Sequence, residues 1–180
     1  MLYPRFNVAK ATEATSLLLS WHGGRMSRIK VLKLLYLADR QALKDWERPI
    51  TFDEYYSMKN GQVLSGVLDL INNNIKDQVW NDHIEQDGEY YIKLHNEPVT
   101  LRKLNKAEYK LLKSIYDRYG KMNRFDLGDL TKKFPEYKST NSRRRTDIKE
   151  ILDDIYGEQG AQDVLVRLDD QAKLEIALRE

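Results

Sequence analysis

Three histidines, His22, His83 and His95, are the side chains of this sequence best suited to metal ligation or proton transfer. His22 falls at the end of a helical run and the other two on the arms of a hairpin. No His-Glu-x-x-His or comparable spacing brings two ligands onto one face, so they read as partly exposed structural histidines. Asp53 and Glu54 are adjacent carboxylates that acid–base chemistry could use, although neighbours of this kind in a loop usually serve turns and caps. There is no Gly-x-Ser-x-Gly elbow, Walker loop or Gly-x-Gly-x-x-Gly fingerprint. Cysteine is absent, which removes disulfides, thiolate metal sites and thiol nucleophiles together. The expectation is a binding protein rather than an enzyme, with no metal, cofactor or small-molecule substrate.

Two constellations could support binding. Trp46, Arg48, Phe52, Asp53, Tyr55, Tyr56, Met58 and Lys59 crowd one turn-rich segment. Tyr, Trp, Met and Arg are enriched in interface cores, because they bury large areas and keep polar handles. Trp46, Arg48, Asp53, Tyr55, Tyr56, Met58 and Lys59 are therefore the candidate partner-binding residues. The same aromatics could equally cap a helix and fill the core beneath the loop. The second constellation is basic: Lys132, Lys133, Lys138, Arg143, Arg144, Arg145 and Lys149, with Tyr137 among them. Such a cluster can track a phosphate backbone, with Lys132, Lys133, Arg143, Arg144 and Arg145 as the candidate nucleic-acid contacts. Glu136, Asp147 and Glu150 dilute it, so nucleic acid is the lesser expectation.

The elements that must position these residues follow from periodicity and punctuation. The chain has 180 residues, 41% hydrophobic and 32% charged, with a net charge of +2. That describes a soluble globular protein with no bulk demand for a nucleic-acid or membrane partner. No signal peptide or membrane-spanning run is visible, which fits the cytoplasm. Ala14, Leu17, Leu18 and Trp21 predict a helix over 7–21, closed by Gly23 and Gly24. Ser27 can cap a second helix in which Ile29–Ala38 is apolar nearly all round, hence buried and central. Its polar residues Lys33, Asp39 and Arg40 then need partners or an exit to water, and Pro49 keeps it from running on. Leu64, Val67, Leu68, Ile71 and Ile75 share a further helical face, with Asn72–Asn74 as its fraying end. Asp87-Gly88 predicts an antiparallel hairpin near residues 79–94. Asn105 and Glu108 have capping-box spacing before a helix with Leu112, Ile115, Tyr116 and Tyr119 inward. Phe125, Leu127 and Leu130 should face inward from a short helix after Asn123, and 139–142 reads as a polar linker. Ile148, Ile151, Leu152, Ile155 and Tyr156 make another helix, closed by Gly157. In the tail, Val164, Val166 and Leu168 alternate, as do Leu174, Ile176 and Leu178, which favours a second hairpin over a terminal helix. The fold class is mainly α with minor β: a single helical domain around a buried central helix, with residues 158–180 as a C-terminal extension.

Several of these strings resemble a known family. KLLYLADR at Lys33–Arg40, RPIT at Arg48–Thr51, then Asp53, Tyr55 and Met58, and the series Gly61, Val63, Ser65, Val67, Asp69 and Leu70 resemble the Panacea domain. This is the SocA-like antitoxin family, DUF4065, linked to phage-associated proteins. Gln62 and Leu68 stand where that pattern usually has Pro and Tyr. Leu104, Tyr119-Gly120 and Leu130-Thr131 echo its second half, with Asn105 for Ser, Lys132 for His and Tyr137 for Trp. The resemblance spans most of 7–155, so residues 1–157 are expected to form the Panacea-like domain. It implies an antitoxin of a toxin–antitoxin system that neutralises a cognate toxin, encoded nearby, by direct protein–protein binding. Two other roles fit the same residues: an adaptor delivering a bound client to a protease, or a nucleic-acid-binding regulatory module. The lack of a helix-turn-helix extension before Asn7 weighs against strong operator binding.

Overall fold

The computed structural model describes residues 1–95 and 100–178. The central helix, α2 (Arg28–Trp46), has twelve of its nineteen residues buried, including Lys33 and Asp39. Ser27 caps it, accepting from the Lys30 amide at 3.2 Å. It ends in a left-handed Glu47, with Pro49 beyond. Around it pack α1 (Val8–Trp21), α5 (Lys106–Tyr119), α6 (Arg124–Lys132) and α7 (Ile148–Ala177). The capping box of α5 forms in both directions between Asn105 and Glu108. Glu108 also accepts from Lys10 at 2.7 Å and Arg48 at 2.9 Å, which joins α1, α5 and the end of α2.

Two three-stranded antiparallel sheets flank these helices. In the first, β4 (Ile84–Asp87) and β5 (Tyr91–Leu94) form the expected hairpin, turning at Gly88 with φ 71°. Its first arm is shorter than expected, because residues 78–83 form a helical turn, α4 (Gln78–His83), that buries Trp80. A third strand, β1 (Arg25–Ser27), pairs with β5 where only a helix break was expected. The second sheet has the order β3-β2-β6, built from β2 (Tyr55–Met58), β3 (Gly61–Leu64) and β6 (Arg143–Thr146). The turn-rich segment is thus a β-hairpin that runs directly into α3 (Ser65–Ile71), and the supposed polar linker feeds a strand. Ile75, expected on the buried face of that helix, lies beyond its end and is exposed.

The C-terminal hairpin is overturned. The tail is the second half of α7, which breaks at Gly157 (φ 73°, ψ 171°) and resumes as helix. Ala161, Val164, Leu165, Leu168 and Ala172 are its buried residues, a spacing of three and four that belongs to a helix. The alternation was misleading because Val166 is 51% exposed, and Leu174, Ile176 and Leu178 are exposed too. Phe125 also departs from expectation: it is 70% exposed, whereas Leu127 two residues on is fully buried. Val164, Leu165 and Leu168 join the same core cluster as α2, so residues 158–178 are part of the packed unit.

The helical tail makes a direct prediction. Leu168→Ala should lower the stability of the chain by about 2–4 kcal/mol, while Val166→Ala should change it by less than about 0.5 kcal/mol. Urea unfolding of the two variants measures the difference, and equal costs would contradict the helical placement.

Candidate interaction site

The side chain that positions the β2–β3 hairpin is Asp39, fully buried on α2. Its Oδ1 accepts from the amides of Ile50 at 2.9 Å and Thr51 at 3.1 Å. Its Oδ2 accepts from the Thr51 hydroxyl and from Tyr55 Oη, the latter at 3.1 Å. One carboxyl group therefore fixes the turn after Pro49 and the first residue of β2. Asp53 does the same where the second strand leaves the base of the hairpin. It accepts from the amides of Glu54 at 2.6 Å, Gly66 at 2.7 Å and Val67 at 2.9 Å, and so closes the start of α3. Burial pushes Asp39 up to about 6 against the opposing pull of its hydrogen bonds. Burial also pushes Asp53 up, to about 7, with a smaller contribution from the charge of Asp39.

The turn itself is fixed by contact with α6. Gly61 has φ 99°, and a Cβ there would lie 2.3 Å from Thr131 Oγ1 and 2.9 Å from the Gly128 carbonyl oxygen. Only glycine satisfies both constraints. Gln62 follows, fully buried, and knits three strands together. Its Nε2 donates to Ser57 Oγ at 3.1 Å and its Oε1 accepts from Thr146 Oγ1 at 3.1 Å. Its amide donates to Thr131 Oγ1 at 3.3 Å. Proline, the usual residue of the family pattern here, has no N–H and no side-chain amide, and could make none of these bonds.

Strand alternation then sorts the candidate residues. Tyr55, Ser57 and Thr146 turn inward and are buried, whereas Tyr56 and Met58 are half-buried and Arg143 and Arg145 exposed. Tyr56 pairs with Arg145 and with Val63, and Met58 with Arg143 and Gly61. The outward face thus joins residues from the two separate constellations of the sequence. Arg143 lies 3.8 Å above the Tyr56 ring and donates to Ser65 Oγ. Arg145 pairs with Glu54 at 3.0 Å. Lys59 is exposed at the tip of the turn.

The other candidates fall elsewhere. Asp53 and Tyr55 are buried inside the domain, where they hold the hairpin rather than present it. Arg48 is engaged with Glu108 at 2.9 Å. Trp46 lies in a shallow groove between the end of α2 and α5, with Gln41, Asp45 and Tyr119. The basic set does not form one phosphate-tracking stripe. Arg144 pairs with Glu150 at 2.6 Å and Lys149 with Asp153 at 2.8 Å, while Lys132 sits 3.5 Å from Asp129 on a different element. Lys133 is exposed at the end of α6. The histidines stay apart: His22 contacts Tyr116 Oη at 3.0 Å and His95 contacts Glu85 at 2.9 Å. Among the described residues no cluster suited to a metal ion is found.

Beside the outward face is a cavity of about 270 Å³ with Met58, Lys59 and Val63 on one side, and Leu32, Lys33 and Tyr90 among its other lining residues. Lys33 is fully buried, and its Nζ donates to the Gln62 carbonyl at 2.6 Å. Its position in an apolar helix signals an unusual cation, but only the fold supplies the acceptor and the cavity.

The hydrogen bonding of Asp39 gives a pH-dependent prediction. Asp39 and Asp53 hold protons more tightly in the fold, at about 6 and about 7, than at their ordinary 3.8. The folded state therefore binds more protons than the unfolded chain from about pH 4 to 7, and stability falls as pH rises through that window, by up to about 1.4 kcal/mol per unit for each group. Asp39→Asn keeps an acceptor for the two amides and offers Nδ2 to the hydroxyls, so it should fold and show a shallower fall between pH 4 and 6. Asp39→Ala leaves several buried donors unsatisfied and should cost about 3 kcal/mol or more. Chemical denaturation across this pH range measures both, and equal slopes for Asp39→Asn and the wild type would remove Asp39 as a source.

Comparison with known proteins follows the same geometry. The family model described as "Antitoxin SocA-like, Panacea domain" matches residues 31–138, a stretch that holds most of α2, the β2–β3 hairpin, α5 and α6. α1, β6 and α7 lie outside it. Comparison with curated proteins and with solved structures returns no match. No helix among the described residues is long and apolar enough to cross a membrane. With the matched stretch covering well over half of its length, the chain belongs to the SocA-like antitoxin family, as a Panacea domain.

Proposed function

We propose that this chain is the antitoxin of a cytoplasmic toxin–antitoxin pair, and that it neutralises a toxin protein encoded nearby by covering a functional surface of it. Family membership supports an antitoxin-type role. The observation that carries the reading to a site is the pairing of β2 with β6, with Tyr56, Met58, Arg143 and Arg145 on one accessible face. Tyr56 and Met58 supply apolar area with adaptable packing. Arg143 is already oriented by the Tyr56 ring and Ser65, so little of its side-chain freedom remains to be lost on binding. Arg145, Glu54 and Lys59 form a mixed-charge rim suited to partner selection. The role is binding rather than catalysis: the buried carboxyls Asp39 and Asp53 are occupied in holding the hairpin and α3. The intramolecular pairing of Arg144, Arg145 and Lys149 lowers the support for nucleic acid, which depends on free cations.

Expression of the neighbouring open reading frame, alone and together with this chain, tests the reading. Growth arrest by the neighbour, rescue by this chain and a co-purifying complex are the expected results; a harmless neighbour and no complex would remove the antitoxin role. Tyr56→Ala and Met58→Ala should weaken the complex, with an anchor truncation costing about 2–4 kcal/mol. Unchanged affinity in both would move the interface to another face. Loss of the partner from cells without a lasting complex would instead indicate delivery to a protease.

A further inference from the structure

The cavity beside Met58 has an unusual balance of groups. Ile29, Leu32, Val63 and Leu68 give it apolar walls, while Arg28, Lys33 and Lys59 line it with three cations against one carboxylate, Glu89. Arg28 is turned to the Glu89 carbonyl oxygen at 3.2 Å, not to the Glu89 carboxylate. Lys33 is the decisive member. Its amine is fully buried on α2 and its hydrogen-bond partner is a neutral carbonyl, that of Gln62. A buried ammonium normally has a carboxylate opposite it, since an unpaired charge away from water is costly. Here the further charge that acts on Lys33 is that of Lys132 on α6, which repels it. The amine thus lies just behind the wall of a largely apolar pocket, with no carboxylate among the described residues hydrogen-bonded to it.

We infer that this cavity is a pocket for a carboxylate, and that the carboxylate is an acidic side chain of the bound partner protein, its methylenes against Leu32, Met58 and Val63 and its charge toward Lys33. The pocket adjoins the proposed toxin-binding face and rests on that reading for the source of its ligand. A partner side chain is favoured over a free organic acid because Met58, Lys59 and Val63 belong at once to the cavity and to the β2–β3 hairpin that carries the outward face. A chain lying across that face passes the mouth of the pocket. The volume of about 270 Å³ admits one side chain of glutamate size with room for water, rather than a folded element.

The electrostatics give the pocket a pH signature. Burial, with repulsion from Lys132, lowers Lys33 to about 7, so the free protein holds this amine only partly protonated at neutral pH. An entering carboxylate favours the ammonium form and draws a proton onto Lys33. Apparent affinity for an acidic ligand should therefore fall as pH rises above about 7, by as much as about tenfold per unit until the bound-state value is passed. The other charged groups around the pocket are Arg28 on α2, Lys59 in the β2–β3 turn, Lys132 on α6 and Glu89 in the β4–β5 turn.

The test uses the intact chain and three probes: the peptide acetyl-Ala-Leu-Glu-Leu-Ala-amide, its Gln counterpart, and free glutarate. Binding is followed by NMR of isotope-labelled lysine side chains between pH 6 and 9. The Glu peptide should bind about tenfold or more tighter than the Gln peptide at pH 6.5, should shift the Lys33 amine resonance, and should lose that advantage as pH rises. Lys33→Met, which removes a buried charge and keeps its length, should bind both peptides alike. If that variant does not fold, the pH dependence of the wild-type difference between the two peptides carries the same information. Equal binding of the two peptides, or binding of neither, overturns the pocket. Glutarate binding as tightly as the Glu peptide overturns the assignment to a partner side chain. Because these probes need no toxin, failure here with intact growth rescue removes the pocket alone. Selective Glu binding beside a harmless neighbour supports the pocket and removes only the toxin.

Discussion

Everything on the candidate face depends on where one buried carboxyl group holds the backbone. Asp39 sits on the most enclosed helix of the chain, and its two oxygens take the amides of Ile50 and Thr51 and the hydroxyls of Thr51 and Tyr55. Removing a carboxyl from water is expensive, and only several donors at once offset it. That requirement makes the geometry specific: a displaced turn would leave both the acid and its donors unsatisfied. With Tyr55 tied to α2, β2 starts at a set height and with a set side inward. Strand alternation then sends Ser57 to the interior and Tyr56 and Met58 to the surface.

The interior of that sheet is as polar as its surroundings allow. Ser57, Gln62 and Thr146 satisfy one another across three strands, and the Lys138 amide reaches Ser57 Oγ at 3.2 Å. Such a network specifies register, because a slip of one residue would bury Tyr56 or Met58 and expose these partners. One residue further along α2 than Asp39, Arg40 makes the complementary connection. It pairs with buried Glu136 at 2.8 Å and with Asp154, and lies 3.9 Å above the Phe134 ring, so the segment before β6 and the start of α7 are held to the same helix. α2 is thus both the core of the domain and the ruler against which the outward face is set.

Lys33 introduces a tension into this arrangement. Its hydrogen bond to Gln62 supports β3, yet its burial without a carboxylate works against the ammonium form. Stability and binding pull on the same side chain, since the site that would gain from an acidic partner is the one that bears the cost before that partner arrives. The buried acids Asp39 and Asp53 belong to the separate network at the base of the hairpin and do not relieve it.

Local chemistry made much of the chain legible. The caps at Ser27 and Asn105, the apolar run of α2, the turn at Gly88 and the family pattern from Lys33 to Ile71 all act over a few residues, so they can be read along the sequence. The need of Lys33, Asp39 and Arg40 for partners was also readable; the identity of those partners was not. β6 carries three arginines and no apolar alternation, because an edge strand with one solvated face can be held by backbone pairing and a single inward Thr146. The tail alternates in its sequence yet folds as a helix, since burial of Val164, Leu165 and Leu168 against the core outweighs a period of two. Sequence alone determined the central helix, its caps and the family. Tertiary structure decided that Tyr55 faces in and Tyr56 out, and that Arg143 and Arg145 lie beside Met58 and Tyr56. Those outcomes rest on pairing between residues some ninety positions apart, such as Tyr55 with Thr146, and no local pattern encodes such a contact.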